Sequence, residues 1–319
     1  MAAMTIPTRA LGDLRVSPLC LGGNVFGWTA DEAQSFAVLD GYADAGGTFL
    51  DTADVYSAWH DGNSGGESET LIGRWLARRG RRDDVVVATK GGGHPELRGL
   101  AASTIKRAAE ESLRRLGTDH IDLYYTHFDD ETVEVSEIMT ALDDLVRAGK
   151  VRALGASNLS PARLEASLAF AAREGTTPYV ALQPKYNLVS RDTYEGELAA
   201  VAAHHGLGAL PYSGLASGFL TGKYRADTTI DSPRAPVAAG HLATERGRRV
   251  LAAVETVADA HGVPMASVAL AWLAARPTVT APIASARTTD QLPALLAAAT
   301  LTLTDADLTT LTEASDTAA

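Results

Sequence analysis

The sequence predicts an α/β fold, a (β/α)8 TIM barrel built as a single domain over residues 1–319. An N-terminal β-hairpin precedes the barrel, and extra helices are expected in the long connection after strand 7 and at the C-terminus. Three observations carry this expectation. Eight short apolar runs recur along the chain, each set off by glycine, proline or polar residues, which is the pattern of buried strands. A helical pattern follows nearly every run, in the regular alternation that a parallel barrel requires. The later runs end on polar residues, and a parallel arrangement collects all those ends on one face, where active sites of such barrels lie.

In chain order, Arg9-Ala10-Leu11 and Leu14-Arg15-Val16 flank the turn Gly12-Asp13 and read as the hairpin. Leu19-Cys20-Leu21 is the first strand, closed by Gly22-Gly23-Asn24. Asp31 caps a helix that Gly46-Gly47 ends. The second strand, 48–51, finishes on Asp51, and a polar, glycine-rich loop leads to a helix over 69–79. Strand three, 85–89, ends on Lys90. Gly91-Gly92-Gly93-His94-Pro95 then leads to a helix over 104–116. Strand four, 121–126, ends on His127, with a helix over 133–147 after it. Strand five, 151–156, ends on Ser157-Asn158, and Ser160-Pro161 opens the next helix. Strand six, 179–182, ends on Gln183. Strand seven, 207–211, ends on Tyr212-Ser213, and strand eight, 279–283, ends on Ala284-Ser285. The stretch from Ser213 to Ser285 is too long for one crossover and holds at least one additional helix. Thr304, with Asp307 placed as in a capping box, opens the last helix.

A chain that is 46% hydrophobic and 21% charged has ample material for a large core. The net charge of −11 argues against nucleic acid or an anionic membrane as partner. Cys20 is the one cysteine, so there is no internal disulfide and no zinc-type cluster, and no metal is expected. A reducing compartment fits, and a cytoplasmic location is the expectation. The first residues do not read as a signal peptide, and no apolar run is long enough to span a bilayer. Oligomeric state is left open.

Asp51, Lys90 and His127 end consecutive strands, and Tyr56 lies just beyond the first of them. One reading is a structural Asp51–Lys90 pair beside a core histidine. The other is a tuned proton donor. A free tyrosine has a pKa of about 10, and a nearby Lys90 ammonium lowers it, with Asp51 holding the lysine charged. A neutral His127 can donate one ring N–H to a substrate oxygen. Tyr56 then protonates a carbonyl oxygen, and since no side chain supplies hydride, a nicotinamide or flavin is implied. Gly206-Leu207-Gly208 lacks the rest of a dinucleotide fingerprint, and Gly218-Phe219-Leu220-Thr221-Gly222-Lys223 fails the P-loop spacing. A cofactor therefore lies across the barrel mouth.

Asp51-Thr52-Ala53-Asp54-Val55-Tyr56, with Lys90 and His127 after their strands, resembles the catalytic tetrad of the aldo-keto reductases, and the chain resembles a bacterial member of their potassium-channel β-subunit-like branch. Gly155-Ala156-Ser157-Asn158, Gln183-Pro184-Lys185-Tyr186-Asn187, Pro211-Tyr212-Ser213 and Pro282-Ile283-Ala284-Ser285-Ala286-Arg287 match in order. The resemblance implies an extended NADPH, with NADH possible, and reduction of an aldehyde or ketone, a small-molecule carbonyl substrate. It makes Tyr56 the proton donor, Lys90 and Asp51 its tuners, and His127 the carbonyl-orienting group. It assigns Ser157, Asn158 and Gln183 to the carboxamide, and Tyr212 to the nicotinamide ring. Ser213, Leu215, Gly218 and Lys223 fall to the pyrophosphate side, and Gly23 and Asn24 to a backbone contact. Ser285, Arg287 and Gln291 fall at the adenosine end, where Arg287 reads the 2′-phosphate. Arg287 also stands just before a helix start, where a cation opposes the dipole unless an anion is bound. Gly214 replaces a proline frequent in the family, and Ala294 and Leu295 replace an acid and an asparagine, which weakens the expected adenosine contacts. The segment ending Asp231-Ser232-Pro233-Arg234 reads as a cover for the cofactor or as a surface excursion. Trp28, Trp59 and Phe128 are candidate walls of the substrate pocket, with the His94 loop beside them. The alternatives are an NAD(P)-dependent sugar or alcohol dehydrogenase running oxidatively, a non-catalytic cofactor-sensing subunit, and a barrel hydrolase using Asp51 with Asp54.

Overall fold

The computed structural model describes residues 6–225 and 230–316. Strands β1 (Arg9–Leu11) and β2 (Leu14–Val16) form the antiparallel hairpin, with Leu11 opposite Leu14 across a turn in which Gly12 takes a left-handed φ of 56°. Eight parallel strands follow: β3 (Cys20–Gly22), β4 (Phe49–Asp51), β5 (Val86–Gly91), β6 (Ile121–Thr126), β7 (Val151–Ser157), β8 (Tyr179–Gln183), β9 (Gly208–Ala209) and β10 (Ile283–Ala284). They pair in chain order from β3 to β9, and β10 returns to lie beside β3. Residues just before β10 close the ring against β9. Ala209 N donates to Thr278 O at 2.7 Å, Thr280 N to Ala209 O at 2.9 Å, and Ile283 N to Pro211 O at 2.9 Å. The (β/α)8 barrel expected from the sequence is the fold observed.

The last two barrel strands are shorter than the apolar runs 207–211 and 279–283 suggest. Pro211 and Pro282 lack the N–H that a regular ladder needs, so pairing breaks into isolated bonds around them. The side chains alternate as a barrel wall demands. Cys20, Phe49, Ala88, Leu123, Tyr125, Ala153, Ala181, Leu210 and Ala281 cluster inside, and Leu11 and Val16 of the hairpin join them. The alanines leave room for the Phe49 and Tyr125 rings. Their neighbours Leu21, Leu50, Val87, Tyr124, Leu154 and Leu182 point outward into the helix-covered core.

The crossovers are α1 (Glu32–Asp44), α2 (Glu67–Arg79), α3 (Ala102–Leu116), α4 (Val135–Arg147), α5 (Pro161–Glu174) and α6 (Glu197–His204). Asp31 closes the capping box of α1, and Ser160 caps α5 with Pro161 in its first turn. After β9 come a 3-10 turn (Ala216–Thr221) and three helices, α7 (Ala235–Ala243), α8 (Glu245–His261) and α9 (Met265–Ala274), before β10. A 3-10 turn (Thr289–Gln291), α10 (Leu292–Ala298) and α11 (Asp305–Ser315) complete the described chain, and Thr304 and Asp307 form the expected capping box. No single helix among the described residues is long and apolar enough to cross a membrane; α8 and α9 together are long and apolar enough but meet at 99°.

Candidate active site

Asp51 is the last residue of β4, Lys90 lies near the end of β5, and His127 follows β6 with its N–H on the Gly91 carbonyl. Tyr56 is carried by the turn after β4. The register sets these ends side by side, and the side chains meet. Lys90 is fully buried and all three of its ammonium hydrogens are used: Nζ donates to Asp51 Oδ2 at 2.8 Å, to Thr52 O at 2.7 Å and to Tyr56 Oη at 2.8 Å. The Tyr56 hydroxyl in turn donates to Asp51 Oδ2 at 3.3 Å. Gln183 Nε2 holds the other carboxylate oxygen, Oδ1, at 2.8 Å. His127 packs beside this group, its ring centroid 6.1 Å from that of Tyr56 and stacked on Phe128 at 4.3 Å.

Burial pushes the Tyr56 hydroxyl well above its ordinary range, and the Asp51 carboxylate adds to that rise. In the resting site the net shift is therefore upward, against the lowered value expected beside Lys90. The tyrosine stands as a phenol with a proton to give, and the lysine's charge is already answered by Asp51. Burial, and then Lys90, hold His127 well below its usual value, so its imidazole is neutral.

The three residues expected at the carboxamide are bonded to one another. Ser157 Oγ donates to Gln183 O at 3.0 Å, and Asn158 Nδ2 donates to His127 O at 2.8 Å and to Ser157 Oγ at 3.1 Å. The Tyr212 hydroxyl donates to Asn158 Oδ1 at 2.9 Å. Asn158 and Ser213 hold left-handed φ angles of 56° and 57°, as do Ser57, Ala216 and Ser217. Among the described residues these five non-glycine exceptions lie in the turns and the 3-10 segment that follow barrel strands, the places where backbone strain is retained for a site.

Two cavities meet at Tyr56. The first, of about 490 Å³, runs from Asp51 and Tyr56 past Tyr212, Ser213, Leu215 and Gly218 to Lys223, Ser285, Arg287 and Gln291. Asn24 lines it and accepts from Ser285 Oγ at 2.6 Å. Gly23 stands just outside, its N–H on the Asp51 carbonyl. Arg234 reaches into the same cavity. Burial and the facing Arg287 both lower its pKa, and among the described residues no carboxylate pairs with either arginine. Two facing cations that no carboxylate among the described residues pairs with suit an anionic ligand, so this end of the cavity fits a phosphate-bearing cofactor. The helix start expected after Arg287 is present, as a 3-10 turn with Thr288 at its N-cap that runs into α10 at Leu292, and Arg287 N donates to Gln291 Oε1 at 2.8 Å. Ala294 and Leu295 line the same end.

The second cavity, about 800 Å³, is mostly apolar. Tyr56, Trp59, His127 and Phe128 line it, with Gly93 and Arg98. Trp59 and Phe128 are each 50% exposed, the behaviour of walls rather than core. Trp28 belongs instead to the first cavity, where it meets Trp59 edge-on at 5.6 Å and lies under the Arg234 guanidinium. His94 is buried and lies against Gly65, outside this pocket. Of the proposed cover, Ser232, Pro233 and Arg234 line the first cavity, and residues 226–229 lie outside the described residues. Arg234 is the site residue that sequence reading left unassigned; its signal is a cation in the covering segment.

A family model described as the Aldo/keto reductase family matches residues 18–316. The uncharacterized oxidoreductase YrpG of Bacillus subtilis (strain 168) is 39% identical over 290 residues, covering 88% of this chain and 86% of that one. A probable voltage-gated potassium channel subunit beta of Oryza sativa subsp. japonica is 33% identical over 289 residues, covering 88% and 86%. A protein of Phanerodontia chrysosporium named aryl-alcohol dehydrogenase, NADP(+), is 32% identical over 316 residues, covering 91% and 80%. The chain is thus an oxidoreductase and belongs to the aldo/keto reductase family.

Proposed function

We propose that the chain reduces an aromatic or other apolar aldehyde or ketone to its alcohol with NADPH. The carrying observation is the position of Tyr56 Oη, bonded to Lys90 at 2.8 Å at the junction of a cationic cavity and an apolar one. When bound, a nicotinamide cofactor supplies the hydride. Arg234, Arg287 and Lys223 hold its phosphates, Tyr212 gives a ring face for its nicotinamide, and Asn158 and Gln183 hold the carboxamide. Asn158 Oδ1 is released for this when the Tyr212 hydroxyl lets go. On the apolar side, Trp59 and Phe128 confine the substrate, and neutral His127 donates to the carbonyl oxygen without adding charge. Tyr56 gives that oxygen its proton, and the tyrosinate left behind faces the Lys90 ammonium, which Asp51 keeps charged.

The relative named as an aryl-alcohol dehydrogenase supports an aromatic substrate and favours one further reading, the same groups running in the oxidative direction. The channel-subunit relative supports the cofactor-sensing alternative. Tyr56→Phe tests the catalytic reading, and turnover by the wild type tests the sensor. It removes the proton donor, so kcat for aldehyde reduction falls at least about 10²-fold. Quenching of tryptophan fluorescence by NADPH persists. Undiminished turnover in the variant refutes the role of Tyr56, and tight NADPH binding by the wild type with no turnover in either direction favours the sensor.

A further inference from the structure

Among the described residues, Asp54 Oδ1 and His127 Nδ1 are buried polar side-chain atoms near the reacting group without a hydrogen-bond partner. Both face the same point. A Cβ placed on Gly93 would stand 2.9 Å from His127 Nδ1 and 3.2 Å from Asp54 Oδ1, so the two atoms are separated by no more than those lengths laid end to end. That gap suits one bridging water. Glycine at this position keeps it open. We propose that Asp54 is a positioning residue for His127: a proton on its Oδ1 is donated, directly or across one water, to His127 Nδ1, and holds the ring with its hydrogen on Nε2.

The argument is one of donors and acceptors. The other oxygen, Oδ2, already accepts from Gly93 N at 3.3 Å and His94 N at 3.2 Å. Two donors on Oδ2 leave Oδ1 as the place for a carboxyl proton. His127 is neutral, so its ring carries one hydrogen, and a donor at Nδ1 sends it to Nε2. Only that tautomer can donate through Nε2 to a carbonyl oxygen, which is the link to the reductase reading on which the inference rests. An ionised Asp54 reverses the arrangement: it accepts from Nδ1–H and leaves Nε2 bare.

The surroundings decide when the proton is present. Burial, and then Glu69 of α2, push the Asp54 carboxyl up to about 7, against the backbone bonds of His94 and Gly93 and the Arg115 guanidinium of α3. Arg115 is largely engaged by Glu69, with Nε 2.6 Å from its Oε2. From β6, Tyr124 presents a buried hydroxyl without a partner, raised well above its usual range, and so neutral. From β5, Lys90 contributes its carbonyl to Asp54 N at 3.0 Å, while its ammonium is turned to Asp51. His94 Nδ1 is occupied by the Glu96 N–H.

The direct test is 15N NMR of the histidine side chains in the whole protein, with His127 assigned through His127→Gln, between about pH 5.5 and 8.5. In the wild type, His127 carries its hydrogen on Nε2 at low pH and shifts toward Nδ1 above about pH 7. In Asp54→Asn the amide oxygen takes the two backbone donors and the NH2 group is a permanent donor, so the Nε2–H form persists throughout. Asp54→Ala leaves a mixture that does not respond to pH. An identical, pH-independent tautomer in all three proteins overturns the proposal. The second readout is kcat for aldehyde reduction at saturating NADPH. It falls about tenfold per pH unit above the transition in the wild type and varies less than about twofold in Asp54→Asn. A wild type that turns over with the same profile as Asp54→Asn defeats this inference; a wild type with no turnover defeats the reductase reading and leaves the NMR result to decide this one.

Discussion

Lys90→Met measures how strongly charge holds the site together. Methionine replaces most of the buried stem but none of the three donors. Asp51, 1% exposed, keeps Gln183 Nε2 at 2.8 Å and the weaker Tyr56 bond at 3.3 Å, and loses its one cationic partner among the described residues. Removing one member of a buried ion pair costs about 3–5 kcal/mol. Urea unfolding followed by circular dichroism at pH 7 reads the difference. Asp51→Asn combined with Lys90→Met removes both charges and recovers most of the loss. A loss below about 1 kcal/mol would refute the view that Lys90 stands in the folded protein as the counter-ion of Asp51.

Other consequences are as concrete. Arg287→Ala and Arg234→Ala each remove a cation from the first cavity, and a charge-assisted bond of about 1.5–3 kcal/mol predicts at least about a tenfold weaker NADPH Kd. For Arg287 the NADH Kd changes little, and an unchanged NADPH/NADH ratio shows a mere surface charge. Trp59→Ala or Phe128→Ala raises KM several-fold for an aromatic aldehyde, from about 1 kcal/mol of lost ring contact, and leaves a short aliphatic aldehyde nearly unaffected. Equal effects on both substrates exclude these rings as the pocket wall. Asp54, whose folded value stands near 7, favours the protonated native state. Its stabilising effect is present at low pH and is lost as pH rises from about 4 to about 7, by a few kcal/mol. Asp54→Asn flattens that slope in denaturant titrations, and an unchanged slope means the carboxyl ionises normally.

The barrel was legible because its signals are local. The glycine pairs, the Asp31 and Thr304 caps and the apolar runs each act over a few residues, and the helices fall within a few residues of their expected bounds. The tetrad was legible because strand ends in a parallel barrel converge by topology alone. What the sequence hides are quantities that depend on distance between remote residues. The direction of the Tyr56 shift follows from burial, which no spacing reveals. Arg234 meets Arg287 only because the covering segment folds back over the mouth. Asp54 looks like a second acid beside Asp51, yet the chain turns it the other way, toward Gly93 and His94. The short β9 and the displaced β10 follow from Pro211 and Pro282, whose effect on a ladder was available in the letters and was outweighed by hydropathy.

The barrel wall is unequal around its circumference. From β5 to β7 the strands run six or seven residues, whereas the ring closes between β9 and β10 on a few bonds threaded around two prolines. That seam is where the hoop springs first. Amide protons at Ala209, Thr280 and Ile283 exchange with solvent through small local openings, while those at Leu123 and Leu154 wait for events on the scale of the whole fold. Tyr212, Ser213, Ile283 and Ser285, which border the first cavity, flank this seam on both sides. A ligand lying there acts as a stitch across the weakest edge, and by mass action its binding free energy is added to the closure of the ring. Slowed exchange at those amides on adding NADPH then reports occupancy without any turnover.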